Sequence, residues 1–501
     1  MGKLMAAVAV ASSAAIAATT VALASSVVLV SGPSPYAGCS IANQPGTNFL
    51  NAEVEPFVSV NPANHMNIVG VFQQDRWSNG GARGLVAASS SNGGASWGET
   101  TLPFSICAPN AVLDPFTGAP FNRASDPWVS IGPDGTAYAV GLLATNTTVP
   151  GGGTNDTAVA AVTSTDGGHS WGNARLIRSD QGTTPFFEIT QFFNDKESVT
   201  ADPTHPGTAY VVWDRLQSPS ASPDADLHAH AFRGPTWFSK TTDGGLTWST
   251  ARPIFDPGER NQTIGNEIVV NPRDGALYDF FDMFTLAGQK PQGDHIGVIK
   301  STDGGSTWSN VTVIADEPDV TDRDPNTGQG LRTGEGLPSA AVDAATGQLY
   351  AVWGDTRFTG GQFNQVVLST STNGGATWSA PGLVSTSTTR PSFTATVAVS
   401  SDGTVGVTFY DLRNLATGNT TTLPTDYWLK TSPRGGASFG SETHVAGSFD
   451  LFAAPSAGGL FVGDYEGLSS GGTAFQPFFV QTNCADSACT SNRTDVFTGT
   501  F

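Results

Sequence analysis

The chain is poor in positive charge. Its 501 residues include 23 Lys and Arg against 43 Asp and Glu, which gives a formal net charge of −20 at pH 7. A surface of this sign repels nucleic acid and anionic membranes. We therefore expect neither as a partner, whereas cations would be attracted.

Several short enzyme motifs are missing as well. The sequence has no H-E-x-x-H zinc motif, no phosphate-binding loop and no dinucleotide fingerprint. Beyond the N-terminus no segment has a convincing helical pattern. The chain is instead rich in turn-forming residues, with 59 Gly and 31 Pro. This composition is typical of many short strands joined by turns and predicts an all-β protein.

The N-terminal segment lacks charge over a long stretch. An apolar run rich in Ala, Val and Ser extends from Leu4 to Val30 and contains the small-x-small site Ala22-Leu23-Ala24. This pattern is typical of a secretory signal peptide. We assign residues 1–31 to the signal and residues 32–501 to one secreted domain that is free of the membrane after cleavage. The run is also long enough to span a bilayer, so an uncleaved anchor is the alternative.

Four cysteines in an exported chain favour disulfides. Cys484 and Cys489 can close a small surface loop, which leaves Cys39 and Cys107 to tie the mature N-terminus to the first repeat. An alternative interpretation treats Tyr36-Ala37-Gly38-Cys39 as a lipoprotein cleavage box with a lipid anchor on Cys39.

One eight-residue stretch recurs along the chain. It reads S-T-D-G-G-S-T-W at Ser301–Trp308. Its other copies are Ser90–Trp97, Ser164–Trp171, Thr241–Trp248, Ser371–Trp378 and the worn copy Ser432–Phe439. The Ser or Thr and the Asp or Asn open a tight turn, the Gly pair takes positive φ, and the Trp offers an apolar face. Each copy is predicted to pin the tip of a β-hairpin, and the spacing indicates a repeat architecture.

This stretch resembles the Asp-box, or bacterial neuraminidase repeat, of the sialidase-like β-propellers. The resemblance runs from about Glu53 to Phe439. It implies a β-propeller of four-stranded blades. It is much less specific for function, because one fold hosts many different sites.

The chain after the last Asp-box is long enough for one more blade. Residues 460–468, 475–482 and 495–501 are predicted as three of its strands, and residues 41–51 could supply the fourth from the N-terminus. Both termini would then share one blade and no sheet edge would be exposed. We therefore favour seven blades, six of them with Asp-boxes. Six blades, the usual number for sialidases, is the alternative.

Charged residues are predicted to gather on the face opposite the Asp-boxes. The acids at the starts of the first strands are Glu53, Glu55, Asp126, Asp195, Glu197, Glu267, Glu335, Asp464 and Glu466. The second strands end in an acid that is followed within one or two residues by an arginine, as in Asp75-Arg76 and Asp411-Leu412-Arg413. One mouth of the central channel should therefore carry carboxylates and guanidiniums. A structural salt bridge within each repeat is the alternative for each of these steps.

The resemblance also implies catalytic roles. Sialidase-like enzymes bind a substrate carboxylate with three arginines, use an Asp as acid/base, and use a Tyr activated by a Glu as nucleophile. The best matches are Arg76, Arg357 and Arg413 for the anion, Asp75 for the acid/base, and Tyr465 with Glu335 or Glu466 for the nucleophile. At the first inner strand, however, Glu53-Val54-Glu55-Pro56 stands where the family has F-R-I-P. This departure argues against sialic acid as the substrate.

The sequence suggests two metal sites, a calcium loop and a pair of histidines, His228 and His230. Asp322, Asp324 and Asn326 alternate oxygen ligands along D-R-D-P-N-T-G, although Thr333 stands where an EF-hand has its Glu. A solvated acidic loop is the alternative. The segment Asp224–His230 reads D-A-D-L-H-A-H, which either binds a transition metal or is a plain polar loop.

Two functional hypotheses follow. The first is a secreted propeller that acts on glycans through the face opposite the Asp-boxes, as a glycoside hydrolase of sialidase-like type if it is an enzyme. The second is a non-catalytic secreted propeller that binds a glycan, a protein partner or a divalent cation there. The sequence leaves the substrate and the oligomeric state open.

Overall fold

A computed structural model describes most of the chain. The described residues are 27–146, 155–182, 191–218, 233–285, 292–387, 389–483 and 492–501. Within these ranges the chain is almost entirely β-structure, as predicted, with a single-turn 3-10 helix at Leu451–Ala453. No helix in the described part is long and apolar enough to cross a membrane.

The strands follow one another in short hairpins. In chain order they are β1 (Val28–Leu29), β2 (Val54–Val60), β3 (Ile68–Arg76), β4 (Ala82–Ser90), β5 (Gly98–Thr101), β6 (Arg123–Ile131), β7 (Ala137–Asn146), β8 (Asn155–Ser164), β9 (Arg175–Asp180) and β10 (Gln191–Ala201). Next come β11 (Ala209–Ser218), β12 (Thr236–Thr241), β13 (Arg252–Phe255), β14 (Asn261–Val270), β15 (Leu277–Thr285), β16 (Gly293–Ser301), β17 (Thr312–Asp316), β18 (Leu331–Arg332), β19 (Ser339–Val342) and β20 (Leu349–Asp355). The last are β21 (Gln365–Ser371), β22 (Gly382–Leu383), β23 (Ser392–Val399), β24 (Val405–Asp411), β25 (Pro424–Ser432), β26 (Glu442–Asp450), β27 (Leu460–Phe461), β28 (Gly467–Gly471), β29 (Ala474–Thr482) and β30 (Thr494–Thr498).

Four-stranded antiparallel units are the building blocks. Strands β10–β13, β14–β17, β19–β22 and β23–β26 each form one sheet, and β28–β30 form another together with β1. Strands β2–β5 and β6–β9 are two further units, joined into one eight-stranded sheet by a single pair, Ala82 with Ala124. The short strands β18 and β27 pair in parallel.

The first strands of the units contact one another in succession. Strand β2 contacts β6, β6 contacts β10, and the series continues through β14, β19 and β23 to β28, which contacts β2. Neighbouring units pack through buried side chains. For example, Tyr138 and Val140 on β7 pack with Val211 and Trp213 on β11. Each such buried aliphatic side chain stabilises the fold by about 1.5–3 kcal/mol.

The Asp-box turns have the predicted geometry. In the copy at 301–308, Asp303 Oδ1 accepts hydrogen bonds from Ser301 Oγ at 2.8 Å and from the Thr307 N–H at 2.9 Å. The Gly pair has φ values of 66° and 82°, which favour glycine. The Trp308 ring packs edge-on against Phe238 of the preceding unit, with 5.7 Å between the ring centroids. The turn therefore also fastens neighbouring units together.

Two strand predictions near the termini are wrong. The outer strand beside β30 is Val28–Leu29, in which Val28 pairs with Thr498, and not residues 41–51. The run Val27–Val30 is apolar and β-branched, whereas residues 41–51 contain the turn formers N-Q-P-G. Residues 460–468 are also not one strand, because β27 pairs with β18 and only β28 joins the sheet.

The predicted disulfide between Cys39 and Cys107 is confirmed. The two cysteines are 68 residues apart in sequence, with 5.6 Å between their Cα atoms. With both sulfurs in the disulfide, Cys39 has no free thiol for a lipid anchor, so that alternative is wrong. Cys484 and Cys489 lie outside the described residues.

Removing this disulfide should destabilise the protein measurably. Because it closes a long loop, the double substitution of Cys39 and Cys107 by Ser is expected to lower the free energy of unfolding by about 2–4 kcal/mol. Urea unfolding followed by tryptophan fluorescence measures the difference. An unchanged midpoint in the double variant would show that the N-terminal segment is held by its hydrogen bonds alone.

Candidate functional site

A β-bulge recurs at the same place in the first strands of five units. The strand register shifts at 54–57, 125–128, 195–198, 264–267 and 393–396. One residue in each bulge has positive φ, and these are Glu55, Asp126, Lys196, Gly265 and Thr394. A bulge re-aims a side chain, and positive φ in a non-glycine residue persists only where its surroundings enforce it. The bulges are therefore a repeated device for aiming side chains.

Three of these bulge residues meet at one point. The Lys196 Nζ lies 3.3 Å from Glu55 Oε1, 3.6 Å from Asp126 Oδ2 and 2.6 Å from Asp464 Oδ2. Asp464 in turn accepts two hydrogen bonds from the Arg332 guanidinium, one of them from Nε at 2.9 Å. We call Glu55, Asp126, Lys196, Arg332 and Asp464 the lysine cluster. The sequence predicted that these acids converge, and the structure confirms it.

The lysine cluster keeps two carboxylates ionised although both are buried. Burial opposes their ionisation, but Arg332 and Lys196 hold the pKa of Asp464 well below its ordinary value. Burial likewise opposes ionisation of Asp126, while Lys196 and then a hydrogen bond from Glu55 lower its pKa to about 2. Such a network of charges is stable only because every member has a partner.

Two neighbouring carboxyl groups behave in the opposite way. Burial, and then the negative charge of Asp126, raise the pKa of Asp195 to about 7. The same two causes raise the pKa of Glu55 to about 8. Pairs of acids whose environments drive their pKa values apart mark sites of acid–base chemistry. Asp195 and Asp126 form such a pair.

A cleft of about 400 Å³ is lined by both members of this pair. It is lined by the starts of β6 and β10 and by the ends of β3 and β7, which lie opposite the Asp-box turns. Its charged lining residues are Arg76, Arg123, Asp126, Asp195, Lys196, Arg332, Glu335 and Asp464. The cleft thus matches the predicted mouth of carboxylates and guanidiniums.

A second, much smaller cavity of about 50 Å³ shares residues with this cleft. Side chains from the first strands or their entries in all seven units line it. One wall is aromatic. Phe57 stacks on Trp128 with 3.5 Å between ring centroids, and Trp128 lies 5.2 Å from Tyr465. We call this space the channel cavity. Glu335 and Lys196 line both the cleft and the channel cavity.

The structure brings two of the three predicted catalytic residues to these cavities. Glu335 lines both, and Tyr465 lines the channel cavity, where its hydroxyl donates to the Pro127 carbonyl at 3.0 Å. Burial raises the pKa of Glu335. Glu466, the other predicted activator of Tyr465, instead accepts a hydrogen bond from the Tyr410 hydroxyl at 2.9 Å.

Asp75 is placed away from the site, so its prediction as the acid/base is corrected. Its buried carboxylate accepts hydrogen bonds from Ser34 Oγ at 2.7 Å and from the Asn51 N–H at 2.8 Å. It also lies 3.4 Å from Arg83. Asp75 therefore ties the N-terminal segment to the first unit, and it belongs to the lining of neither cavity described above.

The three predicted arginines do not form one cluster. Arg76 lies in the cleft, where it donates to Gln73 Oε1 at 2.6 Å and stacks on Phe461. Arg357 pairs with Asp355 in its own unit. Arg413 pairs with Asp411 and Glu442. The last two are structural salt bridges and line neither cavity, which corrects their prediction as substrate-binding residues.

The predicted calcium ligands are each engaged in other bonds. Asp322 accepts from Thr333 Oγ1 at 3.0 Å, and Asp324 accepts from the Asn326 N–H at 2.9 Å. The Asn326 side chain donates to the Ala416 carbonyl at 2.9 Å. In the described ranges no group of three His, Cys, Asp or Glu residues is arranged to hold a metal ion. Calcium binding at this loop stays a prediction, and residues 224–230 lie outside the described part.

Sequence reasoning missed Lys196 and Arg332. Lys196 stands between Asp195 and Glu197 and is the only lysine between Lys3 and Lys240. A lone cation inside an acidic inner strand was therefore a usable signal. Arg332, in contrast, lies in an insertion and gave no signal.

Comparison with known proteins identifies a sialidase among the relatives. The chain is 29% identical over 161 residues to a sialidase of Micromonospora viridifaciens, a match that covers 29% of this chain and 22% of that protein. The chain thus matches about a fifth of this relative's length. No family profile matches the chain. Together with the Asp-box repeats and the four-stranded antiparallel units, the match supports a sialidase-like β-propeller.

Solved structures that superpose on this chain include a sialidase and an arabinanase. A Hadza microbial sialidase, Hz136, has a TM-score of 0.43 at 15% identity and covers 71% of this chain and 63% of its own. An α-L-arabinanase of Penicillium chrysogenum has a TM-score of 0.43 at 12% identity and covers 91% of this chain and 95% of its own. At these TM-scores the likeness carries no argument about function.

Proposed function

We propose that this chain is an exported, seven-bladed sialidase-like propeller that hydrolyses glycosidic bonds in the cleft opposite the Asp-box turns. Seven four-stranded units and the succession of contacts from β2 round to β28 support seven blades. The pairing of β1 with β30 supports a last blade built from both ends of the chain. The apolar N-terminal run and the disulfide support export.

The proposed chemistry uses two carboxyl groups from different units. Glycosidases place a general acid and a second carboxylate on the two sides of the scissile bond. Asp195 holds a proton below its pKa of about 7 and is the proposed general acid. Glu335, which lines the same cleft from the entry to β19, is the proposed second carboxylate. Because Asp126 stays ionised beside Asp195, it keeps the proton on Asp195.

The observation that carries this proposal is the pair of Asp126 and Asp195 in one open cleft. Asp126 keeps a proton on Asp195 near neutral pH, and a protonated carboxyl group in a cleft that Glu335 also lines can act as the general acid of glycoside hydrolysis. The rings of Phe57, Trp128 and Tyr465 line the adjoining channel cavity and give the site an apolar wall.

A panel of aryl glycosides tests the proposal. Residues 25–501 would be assayed against 4-methylumbelliferyl derivatives of sialic acid, arabinofuranose, galactose, glucose, fucose and glucuronic acid. We expect turnover of at least one substrate by the wild type and not by Asp195→Asn. No turnover on the panel or on a glycan array, or equal turnover by the variant, would refute it.

Arg357 supplies the matched control. Because its guanidinium is held by Asp355 outside both cavities, Arg357→Met is expected to leave kcat/KM within about twofold while costing about 1–3 kcal/mol of stability, since the buried Asp355 carboxylate loses its cation. The same assay and a thermal melt measure the two effects. A loss of activity above tenfold with an unchanged melting temperature would restore Arg357 to the substrate site.

A second candidate function is non-catalytic binding at the same face. It is favoured by the salt bridges of Arg357 and Arg413, which hold two of the three predicted arginines outside the cleft, and by the bond of the Tyr465 hydroxyl to Pro127. A glycan array run with calcium and again with chelator separates the cases. Binding without turnover supports a lectin-like protein, and binding lost in chelator supports a calcium-dependent one. Binding of neither glycan nor calcium leaves a protein partner.

A further inference from the structure

We infer that Lys196 is the positioning residue of the cleft, and that it holds Asp126 with its ammonium group and Asp195 with its backbone N–H. The inference rests on the proposed function, since it assigns Lys196 a role in presenting the proposed general acid. It goes beyond that function because Lys196 acts through other residues and needs no contact with substrate.

The geometry gives Lys196 both contacts at once. Its Nζ lies 3.6 Å from Asp126 Oδ2, while its N–H donates to Asp195 Oδ1 at 3.1 Å. Both depend on the bulge of β10, where Lys196 has a φ of 49°. A lysine in this left-handed conformation is uncommon and strained, so the surrounding contacts must hold it there. Strained backbone of this kind is common at functional sites, where it directs a side chain into the site.

Asp464 holds the Lys196 ammonium group opposite Asp126. Asp464 Oδ2 lies 2.6 Å from the ammonium nitrogen and is itself held by Arg332. Only about 8% of the Lys196 side chain is exposed. The ammonium is therefore fixed between Asp464 and Asp126, with little freedom to swing into solvent.

Charged and titratable groups from several strands surround Lys196. They are Glu55 on β2, Arg76 on β3, Asp126 on β6, Asp195 and Glu197 on β10, Arg332 on β18, and Asp464 and Tyr465 before β28. Most of them are acids. The Lys196 ammonium group contacts three of these acids. Its removal therefore leaves less positive charge beside the Asp126 carboxylate. Both protons of the Asp126–Asp195 pair should then bind more tightly.

The pH dependence of hydrolysis tests this role. On whichever aryl glycoside the wild type cleaves, the alkaline limb of kcat/KM should lie near pH 7, where Asp195 loses its proton. Lys196→Met, or Lys196→Gln should the first variant not fold, is expected to move this limb upward by about one pH unit. Lys196→Arg retains the charge and should keep the limb in place even if kcat falls. If all variants have lower rates but the alkaline limb of their kcat/KM profile lies at the wild-type pH, the inference is overturned.

A second readout does not depend on activity. The urea midpoint of Lys196→Met should lie well below that of the wild type at pH 7. The gap should narrow as the pH falls towards 3, because the unfolded chain then binds protons on these carboxyl groups while Lys196 still holds Asp126 and Asp464 ionised in the folded wild type. A gap that stays constant with pH overturns the role of Lys196. Failure of the whole glycoside panel with a narrowing gap would refute the proposed hydrolysis and leave the charge network intact.

Discussion

Asp195→Asn should lower kcat for glycoside hydrolysis by about 10²–10⁴-fold. General acid catalysis contributes this much to a reaction that must protonate its leaving group. The amide cannot donate its proton to the leaving oxygen, yet it has nearly the shape of the protonated acid. Its oxygen can still accept the Lys196 N–H bond that Asp195 accepts at 3.1 Å. The expected loss is therefore in chemistry and not in folding.

Stability against pH separates this loss from misfolding. The pKa of Asp195 is raised to about 7 in the folded protein, above the value of about 3.9 for a free side chain. The folded state therefore binds more protons than the unfolded state between these pH values, and the wild type loses stability as the pH rises through them. The amide of the variant carries no such charge, so Asp195→Asn should match or exceed the wild type in urea midpoint at pH 8. A variant that is inactive and also less stable at pH 8 would contradict this account.

The largest loss of stability is expected from Asp464→Asn. This carboxylate is 5% exposed and pairs with both Lys196 and Arg332. Removing one partner from a buried ion pair leaves uncompensated charge, which costs about 3–5 kcal/mol. Urea unfolding at pH 7 measures it. An exposed acid gives the matched control: Asp316, whose side chain is 85% exposed beside His295, should cost less than about 1 kcal/mol as Asp316→Asn.

The loss from Asp464→Asn should itself depend on pH. The pKa of Asp464 is held well below its ordinary value in the folded state by Arg332 and Lys196, against the effect of burial. Its contribution to stability is therefore complete above the unfolded pKa of about 3.9 and is lost as the pH falls below it. The difference between wild type and variant should shrink in acid. A difference that grows on acidification would mean that Asp464 is protonated at neutral pH.

The repeat hairpins were predictable because their determinants are local. The turn at Asp303 needs a carboxylate and two glycines within a few residues, and the strands on either side alternate in a way that the sequence displays. Burial in the core follows from the same alternation. The outer strand Val28–Leu29 was missed because it lies within the apolar N-terminal run. Such a run has the same composition whether it is a signal peptide or a β-strand.

The site was predicted only in part because its geometry depends on the bulges. Glu55, Asp126 and Asp464 stand at equivalent points of their repeats, so the sequence places them at one mouth. Whether a side chain then points inward depends on a positive φ at one residue of the bulge. Most of these residues are not glycine, so their identity does not reveal the positive φ in the sequence. The inward position of Lys196 depends on such a φ of 49° and was missed for this reason. For Arg357 and Arg413 the alternative of a structural salt bridge holds, whereas the pairing of Asp75 with Arg83 on the next strand could not be read from its spacing to Arg76.

The pairing of β1 with β30 also bears on how the protein reaches its folded state. Residue 28 meets residue 498, and the Ser31 hydroxyl accepts a hydrogen bond from the Val496 N–H. Contacts between the two ends of so long a chain carry a large loop-closure entropy and form late. During synthesis, β1 must wait unpaired until β30 has been made. The exposed edges of the first and last units would be open to other chains throughout that interval, so a co-expressed chaperone should raise the yield of soluble protein.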